Sequence, residues 1–81
     1  MSAKHLGTYL YQVRKQRGIT QSTVARYSGL SRNMVALVER GEVVPTIETL
    51  AKLYRCLNFS MTEVLFRWRI NDIPVAPDYE I

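Results

Sequence analysis

Thr20-Gln21-Ser22-Thr23-Val24-Ala25-Arg26-Tyr27-Ser28-Gly29-Leu30-Ser31-Arg32-Asn33-Met34-Val35-Ala36-Leu37-Val38-Glu39-Arg40-Gly41 reads as two short helices joined by a tight turn. Thr20 can cap the first helix by offering its hydroxyl to orphan backbone donors, and Gly29 supplies a left-handed residue to end it. Ser31 can then cap the second helix, and Gly41 can close it as Gly29 closes the first. Val24, Ala25, Leu30, Val35 and Val38 are the apolar positions two such helices bury against each other, small Ala25 permitting a close crossing. The polar remainder of the second helix faces outward.

Two helices in this order form a helix-turn-helix, whose second helix enters the major groove of DNA. Only its N-terminal residues and those at every third or fourth position beyond face the base edges, here Arg32, Asn33, Ala36, Leu37 and Arg40. Arg32 can donate twice to guanine, and Asn33 can donate to and accept from adenine. Ala36 and Leu37 are limited to apolar contact with a thymine methyl, while Arg40 lies nearer the phosphates. Gln21 stands in the first turn of the preceding helix, where exposed amides and the helix dipole favour a phosphate. Met34, beside the core positions, is expected to pack partly buried.

Gln21, Val24, Ala25, Gly29, Leu30, Ser31, Val35, Val38, Glu39 and Gly41 match in type and spacing the lambda-repressor-like, or Xre-type, DNA-binding domains. Residues 13–21 resemble the end of that family's first helix and its loop, and residues 45–50 the start of its fourth, so the resemblance spans about residues 6–66. It implies an all-α, five-helix lambda-repressor-like domain that binds double-stranded DNA. It also implies that Gln21 touches both the DNA backbone and the recognition helix, and that Glu39 pairs with Arg14 of the first helix as a structural ion pair.

The periodicity along the rest of the chain agrees. A first helix is expected from about Lys4 to Gln16, with Leu6, Leu10 and Val13 facing inward and Gly18 breaking it. A fourth is expected from the Thr46 cap to about Leu57, with Ile47, Leu50, Ala51, Leu53, Tyr54 and Leu57 as its apolar stripe and Asn58 as a left-handed terminator. Ser60 or Thr62 can cap a short fifth helix, Glu63 fitting a capping box after Ser60, and Val64, Leu65 and Phe66 supply its apolar face. The helical domain thus occupies residues 1–66, with the helix-turn-helix unit at 20–41. Residues 67–81 read differently: Pro74 and Pro77 forbid a helix or a central strand, so an extended arm is expected. The arm is expected to pack either on its own domain or on a partner subunit, and for the second case its Trp68, Ile70, Ile73 and Val75 are candidate dimer contacts.

Composition sets the remaining bounds. Eighty-one residues with 47% apolar content make one small domain with a modest core. Residues 1–40 hold seven Lys and Arg against Glu39 alone, +6, whereas the rest hold four basic and six acidic residues, −2. Positive charge therefore gathers on the segment carrying the reading helix, as a phosphate-facing surface needs. Cys56 and His5 are the only residues of their kinds. This rules out an internal disulfide and a Cys/His zinc site, and no metal or other cofactor is expected. Cys56, among Leu53, Tyr54 and Leu57, reads as a buried inert thiol. Nothing here assembles a catalytic constellation, so an enzyme is excluded. No apolar run suits a membrane span and the start lacks the order of a signal peptide, so a cytoplasmic location is expected. Because one reading helix contacts few base pairs, a homodimeric transcriptional repressor on a palindromic operator is the leading expectation. Two alternatives stay open: an antitoxin-type regulator whose arm wraps a protein partner, a toxin, and an interaction module that does not read DNA.

Overall fold

The computed structural model describes residues 3–67. Five helices follow one another, α1 (Ala3–Arg17), α2 (Gln21–Ser28), α3 (Arg32–Glu39), α4 (Ile47–Leu57) and α5 (Met61–Arg67), with no strand among the described residues. The candidate dimer contacts Trp68, Ile70, Ile73 and Val75, and the rest of the expected arm, lie outside them.

Each boundary has a local cause. The hydroxyls of Thr20, Ser31, Thr46 and Ser60 accept the backbone N–H three residues on, at 3.0 to 3.1 Å. Gly18, Gly29 and Gly41 take the left-handed conformation that ends α1, α2 and α3, and Asn58 does so after α4 with φ 53°. The Ser60 N–H donates to the Tyr9 hydroxyl at 3.0 Å and so ties the start of α5 to α1.

The core is one cluster: Leu6, Leu10 and Val13 from α1, Val24 and Ala25 from α2, Val35 and Val38 from α3, Leu50, Leu53 and Leu57 from α4, with Phe59 and Val64. Full burial of a Leu or Val side chain is worth about 1.5–3 kcal/mol, so this cluster dominates the stability. α3 packs on α1 and α2, α4 on α2 and α1, and α5 on α1. Gly7 sits where α1 crosses the end of α3, and a Cβ there would overlap the Val38 and Glu39 carbonyls.

Several apolar residues expected inside are not. Ile47, Ala51, Tyr54, Leu65 and Phe66 are exposed, and Leu30 and Cys56 are only partly buried. A helix has one face against the core, and the apolar stripes of α4 and α5 are wider than that face.

Candidate nucleic-acid interface

Burial fixes how α3 is turned. Val35 and Val38 are buried and Met34 packs partly against the core, so the opposite side of the helix is held outward. Arg32, Asn33 and Arg40 are exposed, and Ala36 and Leu37 half-buried. At 3.6 residues per turn, Asn33, Ala36, Leu37 and Arg40 share one face, and Arg32 joins them at the capped start. At the other end the N–H groups of Gly41 and Glu42 donate to the carbonyls of Val38 and Leu37, both at 3.0 Å. This closes two of the four orphan carbonyls and makes the last turn rigid.

That same turn brings Glu42 against Arg40, with Arg40 Nε donating to Glu42 Oε2 at 2.7 Å in an exposed ion pair. The hydrogen bond from Arg40, and then its charge, hold the Glu42 carboxyl below the usual carboxylate range, while Glu42 raises the guanidinium in return. An exposed pair of this kind adds little stability. What it changes is the charge that Arg40 presents.

Behind the reading face lies a buried polar junction. Arg14 donates through Nε to Glu39 Oε2 at 2.7 Å, through Nη2 to Glu39 Oε1 at 3.1 Å and through Nη1 to the Ile19 carbonyl at 2.8 Å. Gln21 Nε2 donates to the same Glu39 Oε1 at 2.9 Å. One carboxylate of α3 thus gathers a cation from α1 and an amide from α2, and an amide nitrogen has a second hydrogen to give outward. The sequence pattern placed no value on Ile19 here, because a backbone carbonyl has no residue signature.

The basic first half is not one phosphate-facing cluster, and this corrects the expectation drawn from charge counting. Arg14 is buried on Glu39. Arg17 turns away and donates to the carbonyls of Leu57 and Asn58 at 3.0 and 3.1 Å, satisfying the end of α4. Lys15 lies over the Tyr11 ring and Arg26 over the Tyr27 ring. Arg26 of α2, Arg32 of α3 and Arg40 just beyond α3 are exposed.

Other chemistry finds little purchase. No group of three or more His, Cys, Asp and Glu that could hold a metal ion occurs among the described residues. Burial pushes the half-buried Cys56 thiol up, away from the thiolate a nucleophile needs. No described helix is long and apolar enough to cross a membrane.

With this geometry in place, the comparisons with known proteins are direct. The family described as Helix-turn-helix matches residues 10–64, more than half of the chain. The chain belongs to that family. It is similar to the HTH-type transcriptional regulator SutR of Escherichia coli, 43% identical over 56 residues that make up 69% of this chain and 32% of SutR. The restriction-modification controller protein C.AhdI of Aeromonas hydrophila superposes with a TM-score of 0.72 at 32% identity, over 76% of this chain and 94% of that one. The clp gene regulator ClgR of Corynebacterium glutamicum superposes with a TM-score of 0.75 at 28% identity, over 83% of this chain and 71% of that one. The chain spans about a third of the length of SutR. This helix-turn-helix chain is therefore of the Xre or lambda-repressor-like type, in a family of DNA-binding transcriptional regulators and not of enzymes.

Proposed function

We propose that this chain is a sequence-specific transcriptional repressor that binds a palindromic operator as a homodimer, with α3 of each copy in the major groove. The observation that carries the reading is the exposed Arg32 and Asn33 pair at the capped start of a helix whose other face is locked into the core. These two side chains match guanine and adenine edges, and Ala36 and Leu37 supply apolar contact beside them. Gln21, through its second amide hydrogen, and Arg40 hold phosphates and set the register. Two half-sites follow from size, since a single short helix specifies only a few base pairs. Repression is the simplest output, because a protein seated in the groove over a promoter excludes polymerase without further chemistry. The likeness to a restriction-modification controller supports a regulatory role of this kind.

Selection of bound sequences from random duplex DNA tests the reading. The expected result is an enriched motif with two inverted half-sites whose centres lie about 10 bp apart, one helical turn. No enrichment overturns sequence-specific binding, and a single unrepeated site overturns the homodimer. Transcription from a promoter carrying the motif should then fall when the protein is added.

A further inference from the structure

Where α2 packs on α4, the two helices leave an open cleft of about 580 Å³ between them, lined by no residue of α3. Small-molecule pockets ordinarily measure about 300–1,000 Å³, so the cleft has the size of one and is too small for a helix or a duplex. Its charge is of one sign. Lys52 and Arg55, three residues apart on α4, line it, and among the described residues no Asp or Glu does. This runs against the local composition, because residues 41–81 hold four basic and six acidic residues and two of those four meet here. Arg55 has no ion pair or hydrogen bond among the described residues, and Lys52 has a loose one, 3.7 Å from a Glu48 side chain that is 81% exposed. Two hydroxyls in the α2 wall have protons to give. Thr23 Oγ1 accepts from the Thr20 hydroxyl at 3.1 Å, which leaves its own proton for a further acceptor. Ser28 is only 8% exposed, yet its hydroxyl reaches just the Ala25 carbonyl of its own helix at 3.5 Å, beyond the usual range of an O–H···O bond. The remaining wall is apolar. Ile19 stands at the start of α2, and the Tyr27 ring, 72% exposed, carries the Arg26 guanidinium over it at 5.8 Å. The Cys56 thiol, kept neutral by burial, adds no negative charge.

We propose that the α2–α4 cleft binds a small organic anion in which a planar ring carries one carboxylate or phosphate head. Each part of that ligand answers a part of the wall. The Arg55 fork and the Lys52 ammonium take the head, with the Thr23 and Ser28 hydroxyls donating to its remaining oxygens. The ring lies against Tyr27 and Ile19, where it removes exposed aromatic surface from water. A free inorganic anion leaves the Tyr27 and Ile19 wall wet, and a neutral ring leaves two cations without a partner, so the wall selects a molecule that joins both. The site is independent of the operator reading, because none of its residues is among those assigned to bases or phosphates of DNA.

The test is isothermal titration calorimetry of the full chain, without DNA, against four matched probes. 2-Naphthoate and 1-naphthyl phosphate carry both ring and head, 2-naphthalenemethanol the ring alone and inorganic phosphate the head alone. The expected result is saturable binding of one or both aryl anions, each at least tenfold tighter than either control, and the tighter of the two identifies the head. Arg55→Gln should raise the dissociation constant about tenfold or more, the worth of one charge-assisted hydrogen bond, and Tyr27→Ala should weaken binding as well. Lys15→Gln, which removes an exposed cation of α1, should leave it unchanged. Far-UV circular dichroism checks each fold, and Lys52→Gln replaces any cleft variant that misfolds. No saturable binding of either aryl anion up to about 5 mM, a free energy near −3 kcal/mol, overturns the proposal. So does equal binding of the alcohol or of inorganic phosphate, or binding that Arg55→Gln and Tyr27→Ala leave intact, which puts the ligand elsewhere. A chain that binds the aryl anions through Arg55 and Tyr27 but enriches no duplex leaves this site standing and overturns the DNA reading alone.

Discussion

Arg32 and Asn33 stand one and two residues beyond the Ser31 cap, exposed on the side of α3 that Val35 and Val38 do not bury. Replacing either with Ala should cost about 1–3 kcal/mol of discrimination at one base pair per half-site. The measurement is the affinity ratio between the selected duplex and single-base variants of it, and an equal loss on random duplex contradicts base reading. Behind them, Glu39 is a buried carboxylate shared by Arg14 and Gln21. Glu39→Gln leaves the Arg14 guanidinium buried without its counter-charge, so a loss of about 3–5 kcal/mol in urea unfolding is expected. A cycle with Arg14→Met should show strong coupling, and additive losses contradict the pair. Glu42 works in the other direction. Its lowered carboxyl titration means that the pair with Arg40 is complete above the ordinary carboxylate range and breaks as pH falls through the lowered value. At neutral pH Arg40 is thus partly neutralised, and Glu42→Gln should steepen the dependence of log affinity on log salt by up to about 0.9, one additional phosphate. An unchanged slope removes Arg40 from the phosphate contacts.

Among the helices, what the sequence makes legible is what is local. Thr20, Ser31, Thr46 and Ser60 are readable as caps because cap hydroxyl and donor N–H lie three residues apart, and Gly29, Gly41 and Asn58 as stops because the left-handed conformation selects them. The outward stripe of α3 follows from the same periodicity. Ile47, Leu65 and Phe66 mislead because a 3.6-residue stripe tells that a helix has an apolar side and is silent on what covers it. Arg17 was invisible as a partner of α4, since its acceptors are carbonyls 40 and 41 positions away. Gly7 was equally silent: it lies between the inward Leu6 and Leu10, and only the crossing of α1 over α3 shows why a side chain is excluded. An added Cβ comes within 2.6 Å of the Glu39 carbonyl oxygen, a backbone atom that cannot swing aside. Gly7→Ala should therefore part the two helices at a cost of about 1–3 kcal/mol, despite the better helix propensity of Ala. Thermal unfolding beside the exposed control Thr8→Ala measures it. A variant as stable as the control means that α1 and α3 have room to spare.

On the scale of the whole molecule, the chain divides its surfaces by task. α3 faces outward on one side, α4 and α5 present their apolar face elsewhere, and α1 lies against both α3 and α5 as the common support. The Arg14, Glu39 and Gln21 junction gives that support a consequence for motion. Neither α1 nor α3 can detach by itself without stranding a buried charge of the Arg14–Glu39 pair, and Gln21 ties α2 to the same carboxylate. Fraying helix by helix is thereby closed off, and the three should open as a single cooperative unit. In native-state amide exchange, Leu10, Val24 and Val38 are expected to share one opening free energy, and in Glu39→Gln that shared value should split, with α3 exchanging first. The reading head, in short-lived excursions as in its resting state, is either assembled entire or absent.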